Sequence, residues 1–153
     1  MNDIVVAIGK IHFEGNVIPH SWFQSDELKK PTGKAFHLAI LILADIVYWY
    51  RPTPIFDEEF DEVIGYKQKF NADMLQKQYS VYAEMFGVNR RQIKEAIDFL
   101  IDRGFVNRQV RNVTVKGQVF TGRVFLEPNP KMVQKITFRK LKTRSKLREV
   151  PKK

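Results

Sequence analysis

Hydrophobic positions fall into contrasting patterns along the first half of the chain. From Ile4 to Phe13 β-branched residues partly alternate with others, which predicts an N-terminal strand. Pro19 interrupts, and the polar stretch Ser25 to Lys34 closes on Pro31-Thr32-Gly33, with Thr32 placed to cap the next element. From Ala35 to Tyr50, AFHLAILILADIVYWY, fourteen of sixteen residues are apolar. That run is too long for a buried strand and predicts a buried helix, stopped at Arg51-Pro52 and again by Pro54. Trp22, Tyr48, Trp49 and Tyr50 are expected in the core. Residues 52–70 read as a hairpin arm. Five carboxylates (Asp57, Glu58, Glu59, Asp61, Glu62) with Phe60 among them form its solvated tip, and IGYKQKF alternates like an exposed strand. Met74 to Tyr79 fits either a strand or a helix.

The pattern becomes more specific at Ser80 to Val106, SVYAEMFGVNRRQIKEAIDFLIDRGFV. Ser80 is placed to cap a short helix with Ala83 and Phe86 inward, and Gly87 supplies its left-handed end. Asn89 caps a second helix, with Gln92 three residues on completing a capping box. Ile93, Ala96, Ile97 and Leu100 then recur at three- and four-residue spacing on one face. Gly104 ends this helix, and Phe105-Val106 restarts the chain as a strand. Phe105 to Val115 and Gln118 to Leu126 form a hairpin around Lys116-Gly117. The whole predicts an α+β fold of the winged helix-turn-helix type, with the N-terminal strand, the long buried helix and the hairpin arm added. The domain is expected over 1–130, with the helix-turn-helix at 80–103 and the wing at 105–126.

Charge adds a function to that pattern. The 153 residues carry 26 Lys and Arg against 17 Asp and Glu, a net +9. Residues 1–130 are balanced, and the excess sits in 131–153, where ten cations face Glu149 alone. That segment reads as a basic C-terminal tail attracted to phosphate. Between 85 and 125 eight basic residues face three acidic ones. In a helix-turn-helix the second helix enters the major groove with its N-terminal residues toward base edges. The candidate DNA-binding residues are therefore Asn89, Arg90, Arg91, Gln92 and Lys94 on that helix. Arg108, Arg111, Lys116 and Arg123 join them from the wing, and Arg139, Lys140, Lys142 and Arg144 from the tail. The same helix face with Glu95 and Asp98 also describes a solvated surface. A winged-helix transcriptional regulator, or a protein-docking or oligomerisation module without direct base readout, fits the same pattern, so fold alone does not fix the function.

Several classes are set aside. No cysteine is present, which removes disulfides and cysteine-ligated metals and agrees with a cytoplasmic protein. The start MNDIVVAIGK has no basic n-region of a secretory signal. The 35–50 run falls short of a membrane span and contains Asp45. His12, His20 and His37 share no ligand spacing, and the acidic tip lacks the glycine of a calcium loop. There is no phosphate-cradling glycine loop and no nucleophile elbow. Neither an enzyme, a metal nor a cofactor is expected. A homodimer through the 35–50 helix is expected because an all-round apolar helix needs cover.

The segments GNVIPHSWF, AILILADIVYWYRP and GYKQKF, together with the 80–126 unit, resemble the N-terminal domains of phage and prophage replication-initiation or replisome-organiser proteins. The resemblance covers 11–128 and implies DNA binding, self-association and contacts with replication proteins. The second, helical domain common in those initiators is not expected from these 153 residues, which weighs against a replication-loading role.

Overall fold

The computed structural model describes residues 1–138 and is mixed α+β. Its core is helix α3 (His37–Tyr50), wrapped by the second half of the chain. Ala39, Ile40, Ile42, Leu43, Ala44 and Ile46 of α3 are buried against helix α5 (Arg90–Asp102) and strand β5 (Gln118–Pro128). The cap position of α3 is Phe36, and no side chain caps it, so Thr32 does not play the expected part. Arg51 leaves the helix with extended backbone, as the proline after it demands. Trp22 is fully enclosed, whereas Tyr48 is exposed and Trp49 and Tyr50 are only half-buried.

The N-terminal strand is corrected to a helix, α1 (Asp3–Gly9). Asn2 caps it by accepting from the Ile4 N–H at 2.7 Å, and Asp3 lies in its first turn. A β-branched run makes a strand only where another strand pairs with it, and this run has none. Helix α2 (His20–Gln24) leads through a 3₁₀ turn (Asp26–Leu28) to the loop before α3.

Strands β1 (Thr53–Asp57) and β2 (Glu62–Lys67) pair antiparallel as the expected arm, with the acidic tip between them. Lys69 fastens its base, lying 4.7 Å above the Tyr48 ring and donating to the Tyr48 carbonyl at 3.2 Å. Strand β3 (Leu75–Gln76) decides the open reading of 74–79, pairing with β5 at Leu75↔Leu126. Strand β4 (Val106–Val115) completes the sheet in the order β3-β5-β4. Lys116 and Gly117 both take positive φ, 50° and 80°, as a two-residue hairpin loop matched to strand twist requires.

Helix α4 (Tyr79–Phe86) starts one residue before Ser80. Gln78 holds the cap position, and its side chain instead accepts from the Val124 N–H at 2.7 Å. Tyr82 is the fully buried residue of α4, while Ala83 and Phe86 are half-buried. Its hydroxyl donates to Asp45 Oδ2 at 2.8 Å, and Lys77 stands 3.5 Å from the same oxygen with its side chain only 12% exposed. This trio explains the one carboxylate inside α3. Burial, then the nearby Asp45 charge, pushes the Tyr82 phenol far above its ordinary value.

Helix α6 (Pro130–Thr137) is a second correction, because the packed body runs past the expected boundary at 130. Asn129 caps it, Ile136 is buried, and Trp22 Nε1 donates to Thr137 Oγ1 at 3.0 Å. Of the expected tail, Arg139, Lys140, Lys142 and Arg144 lie outside the described residues.

Candidate nucleic-acid interface

Local chemistry fixes both ends of α5. At its start Asn89 accepts from the Gln92 N–H at 2.8 Å while Gln92 Oε1 accepts from the Asn89 N–H at 3.1 Å. At its end the Phe105 N–H bonds to the Leu100 carbonyl at 2.9 Å and the Gly104 N–H to Ile101 at 3.0 Å, with Gly104 at φ 81°. That closure is a Schellman motif, with Leu100 and Phe105 both in the core. Three residues, Gly87 to Asn89, join α4 to α5, and Gly87 ends α4 at φ 66°.

The side chains of α5 divide by face. Ile93, Ala96, Ile97 and Leu100 are buried, and Arg90, Arg91, Gln92, Lys94 and Glu95 are exposed. Arg91 is 88% exposed and stands 3.3 Å from Glu95, a surface pair one turn on that holds it weakly. Lys94 is tied more closely, donating to Asp98 Oδ2 at 2.6 Å. Arg90 has no ion-pair partner among the described residues. The capping box spends the side-chain oxygens of Asn89 and Gln92 on the backbone. Their part is to specify where the helix begins, and each amide NH₂ is left to donate.

The cations of the β4–β5 hairpin, expected to form a wing, are placed differently. Arg108, with its side chain 28% exposed, donates to Asp98 Oδ1 at 2.8 Å and to the Tyr79 hydroxyl at 2.6 Å, joining β4 to α5 and α4. Arg111 grips Asp73 through both terminal nitrogens, at 2.7 and 2.9 Å, and lies 4.6 Å above the Phe125 ring. Arg123 stacks on Phe120 at 4.9 Å. Lys116, at the hairpin tip, is exposed. Arg108 and Arg111 therefore serve the fold first, which departs from their expected freedom.

The two carboxylates involved record this. Burial pulls the Asp98 carboxyl up, but hydrogen bonds from Lys94 and Arg108 outweigh it and hold the group below the ordinary carboxylate value. The Arg111 hydrogen bonds do the same for Asp73.

Beside the start of α5 the fold adds residues that the sequence did not single out. The loop 29–35 is closed by Lys30 N–H to Lys34 carbonyl and Gly33 N–H to Lys30 carbonyl, both 2.8 Å. Lys30 lies 4.6 Å above the Phe36 ring. Lys30, Phe36 and His37 share an open groove of about 260 Å³ with Val88, Gln92 and Glu95. Lys30, Lys34 and His37 are all exposed. The loop thus sets Lys30 alongside the start of α5. Its only sequence signal was the Pro-Thr-Gly-Lys turn, some sixty positions upstream of the helix it joins.

Among the described residues no helix is long and apolar enough to cross a membrane, and no cluster of three or more His, Asp or Glu is placed to hold a metal ion. No family model, no curated protein and no solved structure matches the chain.

Proposed function

We propose that the chain is a winged-helix protein that binds double-stranded DNA, with α5 as the helix that enters the major groove. The observation carrying this reading is the first turn of α5. A capping box fixes its start, Arg90 and Arg91 project from it into solvent, and Lys30 borders a groove shared with Gln92 and Glu95 of the same helix. Arginine pairs with guanine through a bidentate fork, and lysines beside a recognition helix neutralise backbone phosphates. Lys116 extends the same chemistry to the wing tip. The resemblance to phage replication initiators supports a role in replication initiation, with transcriptional regulation as the alternative.

The test is an anisotropy titration of a labelled duplex at two salt concentrations. Neutralising about six phosphates gives a fall of log affinity with log salt of slope about −5. Absence of binding at low salt, or an affinity indifferent to salt, overturns the proposal. A second reading, docking to another protein, draws support from the pairs Arg91–Glu95 and Lys94–Asp98, which give the α5 face a balanced charge. It predicts that Arg90→Ala/Arg91→Ala abolishes binding to a replication protein with no DNA present.

A further inference from the structure

The arm formed by β1 and β2 buries none of its residues. Pro54 pairs with Tyr66 and Phe56 with Val63, and cross-strand partners point to the same side of a sheet. These four residues make one apolar face, with Tyr66 68% and Phe56 55% exposed. The opposite face ends on the pair Asp57 and Glu62, which flanks the acidic turn. A two-stranded hairpin is marginal in water without a third strand or a surface against it. Among the described residues no third strand joins this sheet.

The place where the chain leaves the described residues indicates what covers the arm. Phe138 shares an open groove of about 330 Å³ with Val47, Tyr50 and Arg51. Arg51 is two positions before the start of β1 at Thr53, so residues 139–153 set out from the foot of the arm. Fully extended, they reach about 50 Å, and strands of the arm's length span only about 20 Å. Their sequence matches the arm on both sides. In KLKTRSKLR, 140–148, every second residue is a cation, and Leu141, Thr143, Ser145 and Leu147 fall between. In a strand that period puts the cations on one face and both leucines on the other. The arm offers the complement, carboxylates on one face and the apolar four on the other.

We infer that residues 140–148 lie along the arm of their own chain as its third strand. Leu141 and Leu147 extend the apolar face, and the cations stand beside the acidic tip. A surface ion pair is worth little singly. A tethered segment, however, acts at an effective concentration on the order of millimolar. A second copy supplies the same segment only at its bulk concentration, so the chain's own segment prevails in dilute solution. The contact stands apart from DNA binding and is tested without DNA.

Amide hydrogen exchange on the full chain, read by mass spectrometry of peptic fragments, tests it. The arm, 53–67, should exchange at least about tenfold more slowly in the wild type than in the variant Lys140→Glu/Lys142→Glu/Lys146→Glu. Glu58→Lys/Glu59→Lys/Asp61→Lys should bring the same loss. Joining both sets in one chain should restore the protection, because opposite charges face each other again. Fragments from β4 and β5 report that the body stays folded in every variant. Carbodiimide treatment of the dilute wild type should couple Lys140, Lys142 or Lys146 to carboxylates of 57–62 within one chain. Equal exchange of the arm in wild type and tail variant overturns the inference, as does failure of the combined variant to recover. Coupling found only between chains also overturns it and assigns the arm to a second copy.

Discussion

The first turn of α5 carries two cations and the β4–β5 hairpin four, and the fold treats the helix pair and two of the hairpin arginines in opposite ways. Arg90 and Arg91 stand in solvent, and the one acid near them, Glu95, is a surface partner on the same helix. Arg108 and Arg111 each meet a carboxylate brought from elsewhere in the chain, Asp98 of α5 and Asp73 of the segment before β3. Arginine's planar fork suits either task. What decides between stapling the fold and meeting a ligand is whether a carboxylate on another element has been brought within reach.

The sharpest way to break this comparison is to remove the free pair. Arg90→Ala/Arg91→Ala should weaken DNA binding about 100-fold, since each lost contact is worth about 1–3 kcal/mol. Thermal stability should stay within about 0.5 kcal/mol of the parent, because both side chains touch only solvent and Glu95. Titration and a melting curve on one sample check both halves. The converse variant, Arg108→Ala, should cost about 1–2 kcal/mol of stability by breaking the link from β4 to Asp98 and the Tyr79 hydroxyl, while DNA affinity changes less than in the first variant.

A smaller effect should come from the acid that Lys94 of α5 and Arg108 of β4 share. Asp98→Asn releases Lys94 and Arg108 together and should raise DNA affinity about threefold, the scale of a partly exposed pair. Smallest is the response to acid. Asp73 and Asp98 are held below the ordinary carboxylate value in the folded chain, so the unfolded chain takes up their protons first as pH falls. Their contribution is fully present above about pH 4 and is lost as pH drops through the folded-state values. Urea midpoints between pH 5 and 2.5 should therefore fall, and Asp73→Asn should flatten part of that slope.

How much of this could be read from the sequence depends on the range of the forces involved. The start and end of α5 were legible because Asn89, Gln92 and Gly104 act within one turn of themselves. The stripe Ile93, Ala96, Ile97 and Leu100 was legible by periodicity, and the arm by its alternation. The pairing of Arg108 and Arg111 was not, because their acids arrive only when β4 packs against α5 and beside Asp73. Lys30 escaped for the same reason, since its loop comes beside α5 only once the chain is folded. The N-terminal segment failed differently. Its β-branched residues suggested a strand, but with no partner strand in reach the local cap at Asn2 prevails. The burial of Tyr82 in α4 depends on Asp45, thirty-seven positions earlier.

The indole of Trp22 also gives the molecule a built-in optical gauge. Enclosed in the core and hydrogen-bonded to Thr137, it senses whether α6 is seated. With Trp49 replaced by phenylalanine, detachment of α6 would carry that fluorophore from an apolar cage into water and move its emission to longer wavelength. The state of the final helix could then be followed while the remainder of the fold stays intact.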